Sequence, residues 1–97
     1  MSGLSFEWDA GKAASNAVKH GVTFEEAQTV FHDENALIID DPDHSKVEER
    51  FIIMGRSAKP RMLVVVHCLR KTGLSLRIIS ARKAGTKEQE IYWEKIR

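Results

Sequence analysis

Apolar positions follow two different periods along this chain. Across residues 10–20, Ala10, Ala13, Ala14, Ala17 and Val18 recur at the three- and four-residue spacing of a helix. Asp9 is a good N-cap, Lys19 and His20 suit the negative end of the helix dipole, and Gly21 supplies the stop. Thr23-Phe24-Glu25-Glu26 reads as a capping box for a second helix, with Phe24, Ala27, Val30 and Phe31 on its inner side. The period then shortens. Ala36 to Ile39 predicts a short strand, ended by the turn chemistry of Asp40-Asp41-Pro42-Asp43. Val47 to Met54 alternates as a strand, with Val47, Phe51 and Ile53 sharing a face. Met62 to Cys68 is a β-branched run typical of a central strand. Arg70-Lys71-Thr72-Gly73 predicts a hairpin turn into a last strand, Leu74 to Arg82. Thr86 with Gln89 reads as a second capping box, opening a helix that carries Ile91, Trp93 and Ile96. Phe6-Glu7-Trp8 fits either a short edge strand or an apolar lead-in.

These elements predict an α+β fold: two N-terminal helices, a four-stranded antiparallel meander and a C-terminal helix, with the helices packed on one face. Residues 1–97 form a single domain, and their 42% apolar and 30% charged content is that of an ordinary globular protein. Cys68 is the one cysteine, which excludes an intrachain disulfide and a four-cysteine metal site. Met1 to Asp9 lacks the basic run and apolar core of a signal peptide, and the longest apolar run, Met62 to Val66, is far too short to span a membrane. A cytoplasmic protein is expected.

Charge changes the picture. Residues 1–49 carry three lysines against eleven acids, a net of −8, whereas residues 50–97 carry twelve bases against three acids, a net of +9. Such a split suggests a basic working face for a polyanion, unless folding interleaves the halves and pairs their charges.

No Gly-rich phosphate loop, GxSxG, HExxH or CxxC occurs, so candidate chemistry rests on constellations. Arg77-Ile78-Ile79-Ser80-Ala81-Arg82-Lys83 sets bidentate phosphate donors along a strand, where the bland alternative is edge protection. His67 could carry a proton in RNA cleavage or be a hydrogen-bonded core residue. For Lys19-His20 the structural role at the helix end is the better reading. Asp40, Asp41, Asp43 and His44 match no calcium-loop spacing, and a turn explains them without a metal. Of Tyr92 and Trp93 one must face outward, where it could stack a base; Trp93 is the better packing candidate and Tyr92 stays open.

Taken together, Phe6-Glu7-Trp8-Asp9, Lys12, Asn16, Lys19-His20-Gly21-Val22, Phe24-Glu25-Glu26-Ala27, Asp40 to Ser45, Glu49-Arg50, Leu63 to His67, Arg77 to Ala84, Lys87-Glu88 and Tyr92 resemble the BrnT toxins of bacterial type II toxin–antitoxin systems. The resemblance implies a RelE-like fold, a ribonuclease activity that arrests translation, and a BrnA-type ribbon-helix-helix antitoxin bound as a hetero-oligomer, with DNA reached only through it. The expectation is a metal-independent endoribonuclease without cofactor. In it Arg77 and Arg82 hold the scissile phosphate, His67 or Tyr92 moves the proton, and Arg50 and Lys83 position the RNA backbone. The alternatives are a non-catalytic corepressor module and a metal-dependent nuclease using Asp40 to His44.

Overall fold

The computed structural model describes residues 5–40, 50–70 and 75–96. The chain enters as a strand, β1 (Ser5–Glu7), followed by helices α1 (Ala10–His20) and α2 (Phe24–Thr29) and a 3-10 turn, Val30–His32. Strands β2 (Leu37–Asp40), β3 (Arg50–Arg56), β4 (Met62–Leu69) and β5 (Ser75–Lys83) precede helix α3 (Thr86–Lys95). The sheet order is β1-β5-β4-β3-β2. Strands β2 to β5 form the antiparallel meander expected, but β1 adds a fifth strand, parallel to β5, so the sheet is mixed and the helices do not come first. Three residues gave too short an alternation to decide Phe6-Glu7-Trp8 from sequence.

The first two helices start and stop where their caps dictate. Asp9 accepts from Lys12 N, Gly21 closes α1 at φ 69°, and Thr23 Oγ1 accepts from Glu26 N. Glu26 does not complete a capping box. Its carboxylate, buried to 4% exposure, instead pairs with Arg61 and accepts from Ser57 Oγ at 2.7 Å, tying α2 to the β3–β4 turn. Both helices pack on one sheet face over Ile53, Leu63, Val65, Ile78 and Ala81, with Val22, Phe24, Ala27 and Val30 opposite. Val18 is 90% exposed, so it is no part of the inner stripe. Asn16 is. Its Nδ2 donates to Val22 O (2.9 Å) and Ala81 O (2.8 Å), and its Oδ1 accepts from Ala81 N (3.1 Å).

Helix α3 lies on the opposite face, where Tyr92 packs with Met54, Met62, Val64 and Ala84. The helices therefore take both sides of the sheet, contrary to the one-sided expectation. The cap of α3 is Gly85, one residue before Thr86: Glu88 accepts from Gly85 N at 2.8 Å, and Gln89 donates to Ala84 O. That shift turns Tyr92 inward, at 1% exposure, and leaves Ile91, Trp93 and Ile96 partly in solvent. The Tyr92 hydroxyl donates to Asp33 Oδ2 at 2.7 Å, and the same oxygen accepts from Arg56 N. Gly55 makes this junction possible, because a Cβ there would stand 2.8 Å from the Asp33 carboxylate. Among the described residues no helix is long and apolar enough to cross a membrane.

Candidate nucleic-acid interface

Residues five apart on a regular strand point to opposite faces, so Arg77 and Arg82 should be separated by the sheet. They are not. Arg82 pairs with Val64, Ala81 with Val65 and Ser80 with Val66, but His67 pairs with Ile78, leaving Ile79 as an extra residue in β5. This bulge resets the alternation, and Arg77, opposite Cys68, returns to the face of Arg82. On β3 the register places Arg50 opposite the same Cys68, with Ile52 and Met54 following on that face. Arg50 and Arg77 thus stand on one rung, two strands and roughly 10 Å apart. Arg82 lies four β4 residues further along, roughly 13 Å away. The ground beside Arg82 is apolar: Leu37, Ile39, Ile52, Met54 and Val64 with Ile91 of α3 enclose a groove of about 250 Å³.

Both β5 arginines meet carboxylates. Arg82 makes a two-pronged contact with Glu88, Nη1 to Oε1 at 2.9 Å and Nη2 to Oε2 at 2.8 Å. These hydrogen bonds, with help from Gly85 N, bring the Glu88 carboxyl down to about 2 and hold the guanidinium above its ordinary value. Arg77 donates to Glu7 Oε2 at 3.1 Å, Arg70 lies 3.5 Å from the same oxygen, and Ser75 Oγ donates to Oε1 at 2.9 Å. The Ser75 and Arg77 hydrogen bonds lower the Glu7 carboxyl. Two acids of the acidic half, Glu7 and Glu26, thus reach across the fold to arginines of the basic half, and interleaving accounts for part of the charge split.

The other site candidates lie elsewhere. Lys83 pairs with Leu63, and alternation points it to the face covered by α1 and α2, at the strand end. His67 also belongs to that face, 4% exposed between Phe31 (ring centroids 4.9 Å) and Phe51 (5.9 Å), with Nδ1 lacking a hydrogen-bond partner. Burial pushes its imidazole below the ordinary histidine range. Tyr92 is held under α3, where burial and the Asp33 carboxylate raise its hydroxyl to about 12. The Asp41 to His44 segment lies outside the described residues. Sequence reasoning passed over Glu88 as a partner of Arg82, although a Glu six residues beyond a strand-ending Arg, with Gly85 between, is a legible cap signal.

His67 yields a prediction about stability. The folded state disfavours its charged form, so the unfolded chain takes up a proton first as pH falls below about 6.5. The stability tied to this group should be complete well above that pH and decline as pH falls through it toward about 5. Urea midpoints measured across this range should show the decline in the parent and a flatter profile in His67→Phe, whose ring suits the two phenylalanine neighbours. An unchanged slope in the variant would place the titration on another group.

Residues 8–88 match the family model described as ribonuclease toxin, BrnT, of type II toxin–antitoxin system. The fold is similar to the crystal structure of the Brucella abortus ribonuclease toxin BrnT, with a TM-score of 0.67 and 21% identity, covering 86% of this chain and 99% of that one. No curated protein matches the sequence. The family match spans most of the chain, as the resemblance carried by Lys19-His20-Gly21-Val22 and Arg77 to Ala84 led us to expect. This chain belongs to the BrnT family of ribonuclease toxins of type II toxin–antitoxin systems.

Proposed function

We propose that the chain is a metal-independent endoribonuclease that arrests translation in the cytoplasm by cutting RNA on the sheet face of Arg50, Arg77 and Arg82. The observation that supports this reading is the bulge at Ile79, which returns Arg77 to the face of Arg82, where the β3 register also sets Arg50. In the proposed reaction the ribose 2′-oxygen attacks the adjacent phosphorus and loses its proton. The bond from phosphorus to the 5′-oxygen breaks, and that oxygen takes a proton from solvent water, giving a 2′,3′-cyclic phosphate and a 5′-hydroxyl. The planar fork of Arg82 binds the phosphate and stabilises charge that grows on its oxygens, while Arg50 and Arg77 hold the backbone alongside. One fork cannot grip a phosphate and the Glu88 carboxylate in the same way at once. Substrate therefore displaces Glu88, which is freed as a carboxylate beside the reacting group and accepts the 2′-proton. His67 and Tyr92, at 4% and 1% exposure, serve the fold in this scheme.

A BrnA-like ribbon-helix-helix antitoxin would silence the protein by covering this face in a hetero-oligomer, and DNA would be reached only through it. Arginines enter a buried contact favourably only when carboxylates meet them, so the covering segment is acidic. Cleavage is expected in EDTA, with cyclic phosphate ends detectable by resistance of the products to direct ligation and by mass. Activity abolished by EDTA and restored by magnesium would overturn the mechanism.

A further inference from the structure

On the same sheet face, at the Arg56–Met62 end of β3 and β4, the β3–β4 turn and α3 enclose a second cleft of about 490 Å³. Its walls include Arg56, Lys59 and Arg61 on the turn side and Gln89 and Trp93 on the helix, and among the described residues no carboxylate lines it. Arg61 is committed to Glu26, which leaves Arg56 and Lys59 as the cations that shape the field at its mouth. The Arg56 guanidinium lies 5.8 Å from the Trp93 ring centroid, stacked as a cation over a π face. Trp93 is 39% exposed, and its edge contact with Tyr92, at 5.0 Å, fixes the ring. The wall opposite is equally fixed. Thr29 Oγ1 accepts from Ala58 N at 2.8 Å, Ser57 Oγ donates to Glu26 at 2.7 Å, and Ser57 N donates to Arg61 O.

A packed-down tryptophan would be buried; a partly exposed one beside an arginine, in a cleft free of acids, suits a flat ligand that carries negative charge. Nucleobases supply the flat surface and their phosphates the charge. We propose that the Arg56–Trp93 cleft is a second RNA subsite that stacks one unpaired base of the substrate, with Lys59 on its flanking phosphate. This rests on the ribonuclease reading and deepens it: the substrate is single-stranded where it leaves the cutting face, because a paired base cannot present a free ring to Trp93. A purely structural role for Trp93 would give no dependence on strandedness.

The test uses the full chain and a single-stranded oligonucleotide with 2′-O-methyl riboses, which cannot be cut. Trp93→Ala should weaken its binding roughly fivefold to a hundredfold, the contribution of one stacked base, with Trp93→Phe recovering part of the loss. Lys59→Gln, at an exposed turn position, should lower the salt dependence of binding by about one counterion. On cleavable RNA the Trp93→Ala loss should appear in KM. A parent that cuts RNA while Trp93→Ala binds the oligonucleotide unchanged overturns the subsite alone. So does a Trp93→Ala that loses only affinity for a protein partner, or one that loses equal affinity for duplex RNA. A parent that neither binds nor cuts RNA overturns the ribonuclease reading and the subsite with it. Thermal melts of each variant separate these outcomes from unfolding.

Discussion

Arg82→Ala is expected to cut RNA about a hundredfold or more slowly than the parent while binding it with little loss. A donor aimed at charge that appears only in the transition state contributes roughly 3–4 kcal/mol to the barrier. An ordinary phosphate contact would instead change affinity modestly, together with the salt slope. Loss of fold does not explain the same result. The Arg82 and Glu88 side chains are 46% and 35% exposed, and a pair at that exposure contributes on the order of 1 kcal/mol or less. Arg82→Lys sharpens the comparison, since it keeps the positive charge and removes the planar fork. Single-turnover rates and equilibrium binding, measured with melting curves for both variants, decide the matter. If both fold and cut at the parental rate, the site on this face is wrong.

The largest expected effect on stability comes from Asn16, a residue that touches no candidate ligand. Asn16→Ala deletes three hydrogen bonds and leaves Val22 O, Ala81 O and Ala81 N without those partners in the core. Each buried backbone group stranded in this way costs about 1–3 kcal/mol, so a total on the order of 3–5 kcal/mol follows. Small domains have roughly 5–15 kcal/mol to lose, and the urea midpoint should fall by a large fraction of its value. Asn16→Asp should be worse, since it turns a two-carbonyl donor into an acceptor. Val18→Ala on the same helix, at a position 90% exposed, should change the midpoint by less than about 0.5 kcal/mol equivalent. Equal losses for Asn16→Ala and Val18→Ala would show that the bridge contributes nothing.

Much of the fold was legible because local chemistry and tertiary packing agree. Asp9 and Gly21 bound α1, Thr23 caps α2, and the β-branched run from Met62 lies in the interior of the sheet. The misreadings have local causes. The strand at Phe6 is set by pairing with residues 75–77, some seventy positions away, and short-range periodicity does not report that. The Thr86 capping box gave way to Gly85 because Glu88 caps the helix from its third position while also meeting Arg82, and the one-residue shift exchanged Tyr92 for Trp93 as the inward ring. Asn16 reads as a break in an apolar stripe until its partners on β5 are seen. The candidate site was half legible. The spacing of Arg77 and Arg82 argues against a shared face, and only the extra residue at Ile79, invisible in a run of Arg-Ile-Ile-Ser, reverses that.

The position of β5 also determines when the protein becomes what it is. This strand is the last of the five to be synthesised, yet it sits inside the sheet with β4 on one edge and β1 on the other. A nascent chain that ends before residue 75 therefore has no partner for its first strand and an open edge on β4, and closing that seventy-residue separation is the slow entropic step. Arg77, Arg82 and Glu88 arrive with the same last quarter of sequence. Completion of the sheet and the meeting of Arg77 and Arg82 on one face are thus one event, and a chain cut short ahead of residue 75 has neither.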